Sequence, residues 1–255
     1  MKALILSAGR GRRLWPYTAD APKCLLPVGS SDILGHQLEN LVEAGVTQVV
    51  LVCGHGLHRM RRRVSAVPDG ITVRLLFNPF FSISDSLVSL WAARSEMDQG
   101  FILLNGDNLL HPNILKPLLD AGGDCCLLAQ RKGSFGTDDM KVQVTGNRVT
   151  RIGKSLSPNQ TDAESVGIIH FSAAGALHMR RALEEVLTQR AAMGRFFVDA
   201  IQHLIDLGLA VTWADTGGLP WIDVDTPEDL EFAQKNFLRL FAANSALSAA
   251  VEDRA

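Results

Sequence analysis

Little in this chain is in excess, and what is scarce narrows its function. Acidic and basic residues nearly balance, 27 Asp plus Glu against 25 Lys plus Arg. The cations are scattered, apart from Arg59 to Arg63 and one loop near the N-terminus, so no face is marked for polymeric nucleic acid. Four cysteines, Cys24, Cys53, Cys125 and Cys126, lack metal-ligand spacing, and three lie in or beside apolar runs where cysteine behaves as a small hydrophobe. A reducing, cytoplasmic setting is the expectation. No apolar run reaches membrane-spanning length and the chain enters a strand almost at once, so neither membrane insertion nor a signal peptide is expected. With one tyrosine, any aromatic cage has to be built from Phe and Trp, and none of the seven histidines stands in a setting suited to catalysis. There is no internal repeat.

What is present is a series of Val-, Ile- and Leu-rich runs at Ala3 to Leu6, Val49 to Cys53, Val73 to Phe77, Phe101 to Asn105 and Cys125 to Ala129, most of them separated by segments of helical length. Such alternation predicts an α/β fold with a Rossmann-like, mostly parallel sheet covered by helices on both faces. Ile33, Leu34, Gln37, Leu38, Leu41 and Val42 recur at helical spacing and Gly45 follows as a stop. Ser84 or Asp85 can cap a helix through Leu87, Leu90, Trp91 and Arg94, and Pro112 can open another. From residue 130 the texture changes to alternating strands at Lys141 to Val144, Val149 to Ile152 and Ser165 to Phe171, with a Gly146-Asn147 turn, which predicts an antiparallel insertion. Helices are expected near Ala173 to Gln189 and Phe196 to Leu207, a strand at Ala210 to Ala214, and a last helix opened by Thr226-Pro227-Glu228-Asp229. The expected organisation is one domain over residues 1–241 and a loose tail over 242–255.

The segment Ser7 to Val28 is the most informative. Gly9 and Gly11 follow a buried strand and let the backbone turn sharply with its N–H groups toward phosphate oxygens, while Arg12, Arg13 and Lys23 supply fixed charge. A dinucleotide-binding turn would have glycine at Leu14 and an uninterrupted helix at Pro16, and a P-loop would end in Gly-Lys-Ser or Gly-Lys-Thr; neither is found. Triphosphate binding is the reading that remains, with Arg12 able to serve it or to face solvent. Two acidic groups complement the loop. Asp107, in Asn105-Gly106-Asp107-Asn108, falls at the carboxyl end of a central strand, where open α/β sheets bind ligands. Asp223 and Asp225 alternate with Ile222 and Val224, so that in a strand both acids face one side and repel unless a cation lies near. These three are candidate Mg²⁺ ligands, with helix capping or helix entry as the alternative for Asp107 and for one of the pair.

The loop pattern Gly-x-Gly-x-Arg-Leu-x-Pro-x-Thr followed by Pro22-Lys23-x-Leu-x-Pro-Val resembles the signature of nucleotidyltransferases that activate sugar 1-phosphates and small alcohol phosphates. With Asn78-Pro79-Phe80-Phe81, Ser84-Asp85-Ser86-Leu87, Asn105-Gly106-Asp107, Asp138-Asp139-Met140-Lys141-Val142, Gly153-Lys154 and the Trp221 to Asp225 run, the chain is similar to the branch containing phosphocholine cytidylyltransferases and relatives acting on inositol phosphate or aminoethylphosphonate. The resemblance implies a nucleotide-diphospho-sugar transferase-like fold and Mg²⁺-dependent transfer of CMP from CTP, with pyrophosphate released. It implies that Arg13, Lys23 and Asp107 are catalytic, that Ala8 and Gly9 lie against the base, and that Gly11, Arg12, Asp85 and Ser86 also face the nucleotide. Lys141 and Lys154 would reach the acceptor's phosphate, though hairpin lysines of this kind are commonly solvated. For the acceptor's other end, Trp221 joins Phe80, Phe81, Trp91, Phe196 and Phe197 as candidate cage members, and Asp139 and Glu164 join Asp85 and Asp199 as candidate carboxylates. Phosphocholine is the leading acceptor; an aminoethylphosphonate, inositol phosphate or sugar 1-phosphate acceptor, a homodimer, and a non-catalytic nucleotide-sensing subunit are left open. Ser7 and Arg12 stand where the pattern usually has Ala and Thr or Ser, Ser84 to Ser86 where relatives often carry asparagine, and Asp223 where they often have glutamate.

Overall fold

The computed structural model describes residues 1–241, and the expected tail lies outside the described residues. The apolar runs form strands and the segments between them form helices. The first half contains β1 (Lys2–Ser7), the short β2 (Pro27–Val28) and β3 (Ser31–Asp32), α1 (Ile33–Glu43), β4 (Gln48–Cys53), α2 (Leu57–Arg63), β5 (Thr72–Phe77), α3 (Ser86–Ala92), β6 (Phe101–Asn105), β7 (Asn108–Leu110) and α4 (Leu115–Ala121). The second half contains β8 (Cys125–Gln130), β9 (Lys141–Thr145), β10 (Arg148–Gly153), β11 (Ala163–Phe171), α5 (Ala173–Leu187), α6 (Val198–Asp206), β12 (Val211–Asp215), β13 (Trp221–Asp223) and α7 (Pro227–Leu240).

Among the described residues nine strands make one sheet in the order β5-β4-β1-β6-β11-β8-β12-β10-β9. β5, β4, β1 and β6 are parallel neighbours, and β12 runs parallel to β8. The segment expected as an antiparallel insertion divides. β9 and β10 form a hairpin at the far edge, whereas β11 stands mid-sheet, antiparallel to both β6 and β8. Composition explains the inward place of β11: Val166 and Ile168 pack on one face and Ile169 and Phe171 on the other, and a strand apolar on both sides needs cover on both.

The same two-sidedness organises the core. In β1, Leu4 and Leu6 pack on one side of the sheet and Ala3 and Ile5 on the other, as a period of two requires. A third apolar cluster lies outside the sheet and bears on the functional end of the molecule. It joins Leu14 of the glycine loop, Leu26 and Val28 to Leu109 and Val224, beneath Leu230, Ala233 and Phe237 of α7. The segment expected to carry both Asp223 and Asp225 in one strand ends its strand at Asp223: β13 pairs antiparallel with β7 as a separate ribbon, with Asp223 opposite Asn108. Asp225 instead precedes α7, whose N-terminus closes in a reciprocal cap between Thr226 and Asp229.

Candidate active site

A cavity of about 640 Å³ opens at the carboxyl ends of β1 and β6. Ala8 to Arg13 form one wall, residues 81–86 another, and Asp107, Asp223 and Asp225 line it from the β7–β13 side. Gly11 adopts φ 60°, a left-handed conformation that turns the loop, and its carbonyl is pinned by Thr18 Oγ1 at 2.8 Å. The turn bearing Asp107 admits nothing larger than glycine at 106, because a Cβ there would lie 1.7 Å from Ser7 Oγ and 2.8 Å from the Leu6 carbonyl oxygen. β1 and β6 therefore approach closely at the point where the loop and the acid must meet.

The charged groups converge. The Lys23 ammonium donates to Asp107 Oδ2 at 2.9 Å and to Asp225 Oδ1, and Arg13 pairs with Asp225 Oδ2 and with Asp138 Oδ2, both at 2.7 Å. Burial disfavours the Lys23 charge, but Asp107 and Asp225 outweigh it and raise the ammonium above its ordinary pKa. Burial likewise opposes ionisation of Asp225, yet Lys23 and Arg13 hold its carboxyl below the usual range. Asp223 goes the other way: burial, then repulsion from Asp107 and Asp225, push its carboxyl well above that range. Backbone contacts bring these distant segments into register. Val224 N–H donates to the Asp107 carbonyl at 3.0 Å, and Asp229 of the α7 cap accepts from the N–H groups of Asp225 and Thr226.

The far side of the cavity carries Lys154, Glu164, Phe196 and Phe197. Lys154 Nζ is 3.3 Å from Asp138 Oδ1 and stands 5.2 Å from the centre of the Phe196 ring. Asp85 caps α3 by accepting from Ser86 N–H, and Ser86 Oγ accepts from Phe197 N–H at 3.0 Å, which ties the two walls. Burial raises the Asp85 carboxyl above its ordinary pKa. Ala8, Gly9, Gly11, Arg12, Arg13, Asp85, Ser86, Asp107, Lys154, Glu164, Asp223 and Asp225 thus share one cavity, with Lys23 bonded to two of its acids.

Three expected site residues lie elsewhere. Lys141 is 2% exposed, and its ammonium donates to the carbonyls of Lys154 at 2.9 Å and Thr137 at 3.5 Å; its position at the start of β9 turns it inward, where it ties a loop to the hairpin. Asp139 accepts from Gly136 N–H at 2.7 Å and pairs at 2.6 Å with Lys132, which also holds Glu164 at 2.5 Å. Trp221 donates its indole N–H to Gln130 Oε1 at 2.6 Å and packs against the core, since its alternate position in β13 faces away from Ile222. Of the other aromatic candidates, Phe81, Phe196 and Phe197 line the cavity, whereas Phe80 and Trp91 do not. Asp138, which lies between Arg13 and Lys154, was not singled out in the sequence because nothing local distinguishes it from its neighbour Asp139.

A glycine-turned loop with two cations faces carboxylates from the end of β6 and from the β7–β13 ribbon, at one end of a mixed α/β sheet whose fold is that of nucleotide-diphospho-sugar transferases. The chain belongs to the family of MobA-like NTP transferase domains, whose model matches residues 3–204. It is similar to a CMP-5'-(3-aminopropyl)phosphonate synthase of Streptomyces rubellomurinus, 29% identical over 245 residues that cover 93% of this chain and 39% of the relative. It is also similar to a choline-phosphate cytidylyltransferase of Streptococcus pneumoniae, 29% identical over 46% of this chain and 48% of the relative. The matched lengths thus span less than half of either curated relative. The solved CTP:phosphocholine cytidylyltransferase of Streptococcus pneumoniae shares the fold with a TM-score of 0.77 at 20% identity, covering 92% of this chain and 98% of that one. No helix among the described residues is long and apolar enough to cross a membrane.

Proposed function

We propose that this chain transfers CMP from CTP to a small phosphorylated or phosphonylated alcohol or amine, phosphocholine foremost, and releases pyrophosphate. The observation that carries the proposal is the convergence of Lys23 and Arg13 with Asp107, Asp223 and Asp225 at the mouth of the glycine loop. Lys23 and Arg13 would exchange their carboxylate partners for triphosphate oxygens. An acceptor oxygen would attack the α-phosphorus in line, the bond to the bridging oxygen of the β-phosphate would break, and the two cations would stabilise the charge passing to pyrophosphate. A phosphate or phosphonate acceptor is already an anion at neutral pH, so neither a side-chain nucleophile nor a strong general base is required. Lys154, across the cavity, is placed to hold that anion.

The acids suit Mg²⁺. Asp107 Oδ1 is buried with no hydrogen-bond partner, and Asp223 carries a carboxyl whose ionised form calls for a nearby cation. Among the described residues no group of three or more His, Cys, Asp or Glu side chains forms a ready-made metal centre. Asp225, the third expected ligand, is paired with Lys23 and Arg13, whereas Asp107 and Asp223 would hold the cation through hard oxygens, completed by phosphate oxygens. Bound there, it would neutralise triphosphate charge.

Phe81 and Phe197 line the same cavity and would offer aromatic faces to a quaternary ammonium end on the acceptor, with Lys154 beside Phe196 left for its phosphate. A primary amine is the second reading, supported by the aminopropylphosphonate relative and by the Asp85 carboxylate in the same cavity. The test is pyrophosphate release with Mg²⁺ and CTP, UTP, GTP, ATP or dTTP against phosphocholine, aminoethylphosphonate, inositol phosphate, glycerol phosphate and sugar 1-phosphates. CTP with phosphocholine is the pair expected to turn over fastest. Preference for a sugar 1-phosphate would refute the acceptor class, and silence across the grid would favour a nucleotide-sensing role.

A further inference from the structure

The ribbon that carries Asp223 is only three residues long on each strand and, among the described residues, shares no backbone ladder with the main sheet. A lone two-stranded ribbon is marginal in water, so something else fixes its acid. Asn108, the residue after Asp107, is 0% exposed. Its amide nitrogen donates to the carbonyl of Val166 in central strand β11 at 3.1 Å and to Asp223 Oδ1, its cross-strand neighbour. One side chain therefore joins the turn of Asp107, the strand of Asp223 and the middle of the sheet.

Two more buried amides complete the arrangement from α1. Gln37, 1% exposed, donates to the carbonyls of Asn105 and Asn108, each at 2.9 Å, and so straddles the turn that bears Asp107. Asn40, one helical turn on, donates to the Leu110 carbonyl at 3.1 Å. Both Asn108 Oδ1 and Gln37 Oε1 are buried without partners, so these residues serve through their donors. A buried amide that wastes its acceptor costs stability where leucine would simply pack. The compensating benefit is the fixed placement of two carboxylates.

We infer that Asn108 is a positioning residue for nucleotidyl transfer, acting through Asp223, with Gln37 holding the adjoining Asp107 turn. This rests on the reading of the cavity as a nucleotidyl-transfer site. Asn108 bonds to neither Arg13 nor Lys23, so its loss reaches the triphosphate only through the cation that Asp223 would help to hold, and saturating cation separates the chemical step from CTP affinity.

The test is a cycle of Asn108→Ala, Asp223→Ala and the double variant. Each is measured for Mn²⁺ affinity by electron paramagnetic resonance, for kcat and KM, and for Tm. Asn108→Ala is expected to weaken Mn²⁺ binding and lower kcat by about 10- to 100-fold, the usual reach of a residue that orients a metal ligand. At saturating Mn²⁺, KM for CTP is expected to move by less than about threefold. In the Asp223→Ala background the same substitution is expected to change Mn²⁺ affinity and kcat by less than about twofold, because residues acting through one another are not additive. Asn108→Ser, with one donor in place of two, should fall between, and it replaces the alanine variant in the cycle if the latter does not fold. Full multiplicative losses in the Asp223→Ala background, or losses no larger than the drop in folded fraction, would overturn the inference. Wild-type Mn²⁺ binding and turnover in Asp223→Ala alone would instead refute the underlying reading of the site.

Discussion

Replacing Lys23 with methionine keeps most of the side chain's apolar stem and removes its charge, leaving Asp107 and Asp225 without their shared cation beside Asp223. Breaking a fully buried ion pair costs about 3–5 kcal/mol. Here the cavity is open to solvent and Arg13 still faces Asp225, so about 2–3 kcal/mol is expected, a fall of roughly 4–12 °C in Tm for a chain of this size. The pH dependence has a definite sign. The Asp225 carboxyl is held below its ordinary pKa by Lys23 and Arg13 against the opposing effect of burial, so in the parent it contributes stability above the unfolded pKa and loses it as pH falls through the folded value. In Lys23→Met the acids take up protons at higher pH, and protonation relieves their repulsion. The deficit should therefore be largest near pH 7 and shrink toward pH 4–5. Thermal melts in EDTA across that range measure this, and repeating them with Mg²⁺ should restore more Tm in the variant than in the parent. Turnover with CTP should fall by about 10²–10³-fold, the usual cost of removing a charge aimed at a developing anion. Equal Tm at pH 7 in EDTA, or a deficit that does not change with acidification, would refute the electrostatic reasoning.

Asp107→Asn should leave Tm within a few degrees of the parent and lower Mg²⁺-dependent turnover by orders of magnitude; near-normal kcat would remove Asp107 from the reacting centre. Lys154→Ala should raise the acceptor's KM several-fold more than that of CTP, since it faces Phe196 and Asp138 across the cavity from the glycine loop, and an unchanged acceptor KM would return it to a purely surface role. Lys141→Met should do the reverse, lowering Tm by the loss of two buried carbonyl contacts while acceptor KM stays within about twofold among correctly folded molecules; a large selective rise in acceptor KM would restore its expected role at the acceptor.

How much of this was legible in the sequence depended on whether the signal was local. The strands, the crossover helix α1, the proline-led α7 and the Gly146-Asn147 turn follow from periodicity and punctuation within a few residues. The approach of Arg13 and Lys23 to Asp107 was also foreseeable, because a loop after β1 and an acid after β6 meet at the carboxyl edge of one sheet, whereas Asp223 and Asp225 arrive on a ribbon outside it. What was not legible is what depends on pairing between distant segments. The central place of β11 is decided by its two apolar faces and its partners, not by its own pattern of alternation. The ribbon of β7 and β13 hides in two three-residue runs. Lys141 and Lys154 look alike in sequence, and only the structure turns one toward buried carbonyls and leaves the other facing the cavity. Asn108 and Gln37 carried no signal beyond being polar on otherwise apolar elements, which is the pattern a buried donor leaves.

The most direct test of nucleotidyl transfer in this cavity is a single-turnover reaction with excess enzyme, α-phosphate-labelled CTP, Mg²⁺ and phosphocholine, quenched and resolved into product, pyrophosphate and protein. Direct in-line transfer predicts that label appears only in a CMP–acceptor anhydride, in one-to-one ratio with pyrophosphate and with none on the protein. Label retained on the chain, or CMP released to water with no anhydride for any phosphate or phosphonate acceptor, would contradict it.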